Sequence, residues 1–263
     1  MWDGRHYVSG NFNTAEEDSE KFSNINPSEG VSLGEFPQAG QDLIDSACSL
    51  AKDAQRGWRQ LSKFQRSEYF WTLAQLVERK REELANAISL ETGKTFNESI
   101  AEVNESLHMA QYVFGTGRNP TGETLSSEIP EKDGYMIRKP KGLVAIIAPF
   151  NFPLAIGAFW CAAPAIVEGN TVILKPSEDA PMSSQLAAEL YDEAGFPPGV
   201  FNVVHGDGRA GDLLAKNKLV DHVCFTGSAD VGKHIRKVCA ESWHKTCSCE
   251  MGSKSAIIVC GDA

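Results

Sequence analysis

From Gly142 onward, short apolar runs alternate with longer amphipathic stretches. The runs Leu143–Ala148, Thr171–Lys175, Val200–Val204, His222–Phe225 and Thr246–Cys249 read as strands. The segments Leu154–Val167, Met182–Glu193, Ala210–Lys216 and Ala229–Glu241 between and after them read as helices. Buried strands joined by single helices imply a parallel sheet covered on both faces, a doubly wound α/β domain. Sheets of that kind bind ligands at the carboxyl ends of their strands, which directs attention to the residues leaving each strand. Ahead of Gly142 the period is helical. Leu43, Ile44, Ala47, Leu50, Ala51, Ala54 and Trp58 fall on one apolar face. A second helix buries Phe70, Leu73, Val77, Leu84 and Ile88 and turns the charged run Glu78–Glu83 to solvent, and a third covers Asn97–Phe114. The chain before Asn26–Gly30 is polar and turn-rich. The stretch Gly115–Gly142, rich in Gly, Pro and Thr, reads as an arm or domain connection with a short β segment at Tyr135–Lys139.

The apolar stretch Leu143–Val167 is long enough to span a bilayer. Pro149, Pro153 and Pro164 break it, because each removes a backbone donor and crowds the preceding turn. It divides into a buried strand, a tight Pro149–Pro153 turn carrying Asn151, and a buried helix, so no membrane span is expected. Charge points the same way. Twenty-five Lys and Arg against 35 Asp and Glu leave a net charge of −10. Such a surface repels phosphate backbones and anionic lipid, which argues against nucleic acid and membrane partners. Seven cysteines at uneven spacing, with no apolar leader, suit free thiols in a reducing, cytoplasmic setting.

Several motifs sit where chemistry would be expected. Gly93-Lys94-Thr95 looks like the tail of a phosphate-binding loop, but it follows a helix and Ile88 stands where a glycine is needed, so Gly93 reads as a helix terminator. Gly206 to Gly211 matches a dinucleotide fingerprint, yet it follows the third strand, and the first strand–helix turn contains no glycine. A structural turn is the reading there, with an adenine-side role left open. Phe225-Thr-Gly227-Ser228 leads a buried strand into a helix whose amino end suits a pyrophosphate, while a simple Ser228 cap explains the same residues. Lys175-Pro-Ser-Glu178 offers an acidic group for a ribose diol or merely a surface ion pair. Cys239, His244, Cys247 and Cys249 lack metal-site spacing and read as structural thiols. Glu250, at a strand end and followed by Gly252, is either a general base or a surface carboxylate.

The order Pro149-Phe-Asn-Phe-Pro, Lys-Pro-Ser-Glu, Phe-Thr-Gly-Ser, Glu-Met-Gly-Ser-Lys-Ser resembles the NAD(P)-dependent aldehyde dehydrogenase superfamily over nearly the whole chain. The resemblance implies a Rossmann-like cofactor domain with N-terminal helices, formed by residues 1–121 and 141–250. It implies an oligomerisation-type β arm at 122–140 and the start of a truncated catalytic domain at 251–263. It gives Asn151 the oxyanion-hole role and Glu250 that of general base. Lys175 and Glu178 would hold the adenosine ribose, Gly227 and Ser228 the pyrophosphate, and Val231, Gly208 and Gly211 the adenine side. Phe225, Met251 and Gly252 would lie toward the nicotinamide, and Pro149 and Phe150 are counted among the cofactor-binding residues. The implied reaction oxidises an aldehyde, or a semialdehyde, to its acid through a thioester. NAD is favoured by Glu178, with NADP possible. The full-length parent is expected to be a homodimer or homotetramer. The nucleophilic cysteine should lie about thirty residues beyond Glu250; none of the seven present has an evident activating environment. The chain is therefore expected to be a fragment inactive alone, with an exposed apolar face. A non-catalytic dinucleotide-binding or interaction module is the alternative.

Overall fold

The computed structural model describes residues 1–14, 20–253 and 255–262. Lys254, within the Glu-Met-Gly-Ser-Lys-Ser string, and Ala263 lie outside the described residues. The N-terminal part, expected to be turn-rich, instead supplies five short strands: β1 (Trp2–Asp3), β2 (Arg5–Val8), β3 (Asn11–Thr14), β4 (Lys21–Ile25) and β5 (Ser32–Pro37). Four helices follow, α1 (Gln41–Trp58), α2 (Lys63–Arg79), α3 (Arg81–Thr92) and α4 (Phe96–Gly115). The strands β6 (Gly122–Leu125) and β7 (Gly134–Ile137) form a separate exposed antiparallel hairpin. The α/β part then runs β8 (Leu143–Ile147), α5 (Ala162–Val167), β9 (Thr171–Lys175), α6 (Met182–Glu193), β10 (Phe201–Val203), α7 (Gly208–Lys216), β11 (His222–Gly227), α8 (Ala229–Ala240) and β12 (Thr246–Met251).

The main sheet has the order β12-β11-β8-β9-β10-β2-β3. The five strands from β12 to β10 are parallel, and β2 and β3 add an antiparallel edge. After β8 the chain builds β9 and β10 to one side, then crosses back to lay β11 and β12 on the other. That reversal opens a crevice at the carboxyl ends of β8 and β11. Val144 and Ile146 of β8 pack with α2–α6 on one face, and Leu143 and Ala145 pack with α1 and α7 on the other. Burial on both faces explains why these strands read as continuous apolar runs rather than alternating ones.

Two helices depart from the expected pattern. The expected second helix breaks at Lys80 (φ −98°, ψ 17°) into α2 and α3. The apolar period runs through the break without a glycine or proline to mark it. The expected helix Leu154–Val167 begins with a wide, π-type winding over Ala155–Cys161 and tightens to α5, just before Pro164, which has no amide to offer. Strand β12 reaches Met251, so Glu250 and Met251 lie within the strand rather than after it, and β11 likewise extends to Gly227. Gly93 ends α3 in the left-handed region at φ 74°, as its position suggested. Among the described residues no helix is long and apolar enough to cross a membrane. Ile257, Ile258 and Val259 are exposed.

Candidate functional site

Sheet register brings the predicted residues to one edge. Ile147 is flanked by Lys175 of β9 and Phe225 of β11, and Phe225 by Cys249 of β12. One and two residues further on, Thr226 pairs with Glu250 and Gly227 with Met251. Pro149, Phe150 and Asn151 leave β8 at this same end, with Phe150 and Asn151 exposed. Gly252 follows β12 there and is exposed as well.

Between α7 and α8 the edge opens into a cleft of about 460 Å³ lined by Ile147, Lys175, Gly208, Gly211, Asp212, Asp230, Val231, His234 and Ile235. Two glycines set its width. A Cβ at Gly211 would reach 3.6 Å from Lys175 Cδ and 3.7 Å from Ile147 Cδ1, and one at Gly208 would meet nothing within 4 Å. The sequence reading left these glycines as a structural turn with a possible adenine-side role. They form the start of α7, capped by Asp207, whose carboxylate accepts from the Arg209 amide at 2.8 Å, and they line the cleft.

Ser228 caps α8, its Oγ accepting from the Val231 amide at 3.4 Å. The first-turn amides of such a helix have no intrahelical acceptors, and the helix dipole favours an anion beside them. Gly227 is required sterically, since a Cβ there would sit 2.6 Å from Phe225 Cζ; one at Gly232 would collide with the Met251 sulfur. Phe225 and Met251 therefore hold α8 against the sheet from the core. Neither is among the residues that line the cleft.

Lys175 is buried and bridges two elements, donating to the Gly206 carbonyl at 2.6 Å and to Glu178 at 3.2 Å. Burial pulls its ammonium below the usual lysine range, and Glu178 opposes that pull. Glu178 remains partly exposed beside the cleft, placed to accept hydrogen bonds from a diol.

The turn that carries Asn151 is anchored by Glu102, which the sequence reading passed over, and by Lys94, which it read only within a rejected phosphate loop. Glu102 of α4 is buried and accepts from the Leu154 and Ala155 amides at 2.9 and 3.1 Å. Lys94 donates to the same carboxylate at 2.7 Å, and its ammonium lies 3.8 Å from the centre of the Phe152 ring. Lys94 thus belongs to the support of this turn and not to a phosphate loop. A carboxylate among the core positions Ser99, Val103 and Ser106 was the available signal for Glu102. Glu91 does the same for α6, accepting from the Met182 and Ser183 amides and the Ser183 hydroxyl. Burial raises its carboxyl to about 7 against those donors.

The thiols divide between the two faces of the sheet. Cys249 faces α8, 3.9 Å from the Gly232 carbonyl, on the side away from Glu250. Burial pushes Cys239 and Cys48 up to about 12. Cys161 lies beside the Cys224 thiol, which lowers its pKa, while burial and the charge of Glu250 oppose the change. Cys224 is correspondingly raised. Among the described residues no group of three His, Cys, Asp or Glu side chains could hold a metal ion.

Fold and site together define a doubly wound α/β protein whose switch-point edge carries a narrow glycine-walled cleft, a capped helix terminus, an exposed amide and an exposed carboxylate. The model of the aldehyde dehydrogenase family matches residues 14–263, and the chain belongs to that family. It is 36% identical over 260 residues to a betaine aldehyde dehydrogenase of Bacillus subtilis (strain 168), covering 98% of this chain and 52% of that protein. A crystal structure of betaine aldehyde dehydrogenase from Staphylococcus aureus in complex with NAD+ superposes with a TM-score of 0.89 at 31% identity, over 94% of this chain and 49% of the other. Lactaldehyde dehydrogenase from Escherichia coli gives 0.90 at 29% identity, over 96% and 52%. The chain spans about half the length of these relatives.

Proposed function

We propose that this chain binds NAD at the switch-point edge and supplies two working groups to the oxidation of an aldehyde to its acid. The observation that carries the reading is the cleft between α7 and α8, walled by Gly208 and Gly211 and continuous with Lys175 at the end of β9. In this reading the adenine enters the cleft against Val231, and Lys175 with Glu178 holds the adenosine ribose. The amino end of α8 at Gly227 and Ser228 faces the pyrophosphate. Pro149, Phe150 and the backbone of Met251 and Gly252 border the nicotinamide, with Phe225 supporting that region from the core. Glu178 favours NAD over NADP, because a 2′-phosphate beside it is repelled. When bound, the cofactor serves as the two-electron acceptor.

The Asn151 amide donates to the oxygen of the tetrahedral adduct, where a fixed donor is worth most as charge develops. Glu250 takes a proton from the water that cleaves the thioester. None of the seven cysteines is assigned as the nucleophile, and the chain alone is expected not to turn over aldehyde. The same reading assigns 1–121 and 141–250 to cofactor binding, 122–140 to an oligomerisation arm and 251–263 to the start of a catalytic domain. The free thiols suit a reducing compartment such as the cytoplasm.

Thermal unfolding with and without cofactor tests the binding part. Saturating NAD at about a hundred times its Kd should stabilise the fold by roughly 2.7 kcal/mol. Gly211→Val fills the cleft and should abolish the shift while leaving the unliganded Tm close to that of the parent chain. An unchanged Tm in the parent chain would remove the proposal.

A further inference from the structure

The walls of the cleft are mostly apolar or bare backbone: Ile147, Val231, Ile235 and the two glycines. Its polar groups are not equally available. The Lys175 ammonium bonds Gly206 and Glu178 and, in the reading above, serves the ribose rather than the base. The Asp230 carboxylate stands in solvent, 95% exposed, paired with Lys233. What remains is a pair that spans the mouth from α7 to α8, His234 Nε2 against Asp212 Oδ1 at 2.7 Å. Lys216 donates to the other oxygen, Oδ2, at 2.7 Å. Asp212 is two-thirds buried and His234 half exposed. Burial would raise the Asp212 carboxyl, yet Lys216 and His234 hold it below the usual range, so the group is anionic at neutral pH. A carboxylate has about four acceptor sites, and these two donors occupy only two of them.

We infer that Asp212, held in place by Lys216 and His234, accepts a hydrogen bond from the exocyclic amine of a bound purine and makes this cleft selective for 6-aminopurines. The inference rests on the assignment of NAD to the cleft and deepens it. A purine between the apolar walls presents its ring edge to the mouth, where Asp212 is an acceptor with no proton to give. A 6-amino group donates to it. A 6-oxo group at the same place sets a second acceptor against the carboxylate, and the N1 proton beside it reaches Asp212 only if the base slides along the mouth. The site thus reads one edge of the base through a polar pair, while stacking supplies contact that any purine would make. His234 is a positioning residue here: it fixes the carboxylate across the mouth.

The test compares calorimetric titrations of the chain with NAD and with nicotinamide hypoxanthine dinucleotide, in which a 6-oxo group replaces the 6-amino group and N1 carries a proton. The parent chain should bind the hypoxanthine form about tenfold more weakly, the scale of one hydrogen bond to a charged group at a partly open site. Asp212→Asn, whose amide can accept or donate, should bind the two within about twofold of each other, with an unchanged urea midpoint to show that it folds. Equal affinities in the parent chain would overturn the inference and leave the cofactor assignment standing, and this comparison needs no variant. Full discrimination retained in Asp212→Asn would also overturn it. Failure of the folded parent chain to bind either dinucleotide would overturn both the inference and the cofactor assignment.

Discussion

Glu102 carries more of the active edge than any residue that meets the solvent there. Its buried carboxylate ties two amides at the start of the helix after the Asn151 turn and takes the Lys94 ammonium as counter-charge. Removing one partner of such a set leaves the others desolvated, which costs more than the set contributes net. Glu102→Ala should therefore lower stability by about 3–5 kcal/mol, read from the urea midpoint. Glu102→Gln, which keeps an acceptor for the amides, should lose less. Single residues were legible in the sequence where their role is local. Ser228 before a helix, Gly93 after one, and Lys175 three residues from Glu178 announce themselves by position. Glu102 was not legible because its partners lie 52 and 53 residues away in the chain. Asp212 and His234 were missed for the same reason, since only the packing of α7 on α8 brings them together.

At the scale of elements, the fit of α8 on the sheet decides where its amino end points. Gly232 lets the Met251 sulfur and the Phe225 ring lie against the helix. Gly232→Ala should force them apart and cost about 1–3 kcal/mol in urea unfolding, with a parallel loss of NAD affinity as the Ser228 turn shifts. A variant that lost neither stability nor affinity would show that the contact is slack. Elements with both flanks marked were read closely, as at β9 and α6, whose observed bounds coincide with the expected ones. The N-terminal strands were not read at all. Strand β2 pairs with β10 across most of the chain, through Tyr7 and Val203, and its short polar-flanked run carries no local sign of that partner. The break at Lys80 was hidden because the apolar period of α2 continues in phase into α3.

At the scale of the whole molecule, β2 joins the sheet beside β10 and brings two buried histidines together. His6 Nδ1 accepts from the His205 amide at 3.0 Å, His205 Nε2 lies 3.0 Å from the Arg5 carbonyl, and the two rings stack. Burial lowers His6 to about 4 and holds His205 well below its ordinary range. A histidine depressed in the fold takes up protons in the unfolded chain first. Its stabilising effect is whole above about pH 6.5 and is lost as pH falls toward 4. For His6 the loss is on the order of 3 kcal/mol. The stability advantage of the parent chain over His6→Gln should consequently shrink between pH 7 and pH 4.5, in urea titrations at each pH. An advantage that is flat with pH would mean that His6 titrates alike in the folded and unfolded chain.

The doubly wound core, the switch-point edge and the order of motifs along it were all open to a reader of the sequence, because each is written within a single strand and the turn after it. On the proposed reading their common meaning is a dinucleotide held across that edge. Isothermal titration of the folded chain with NAD tests this most directly. The account predicts one NAD bound per chain, with binding lost in Gly211→Val and no NADH formed when an aldehyde is added. A folded chain that gives no heat with NAD, or a Gly211→Val variant that binds it undiminished, would contradict it.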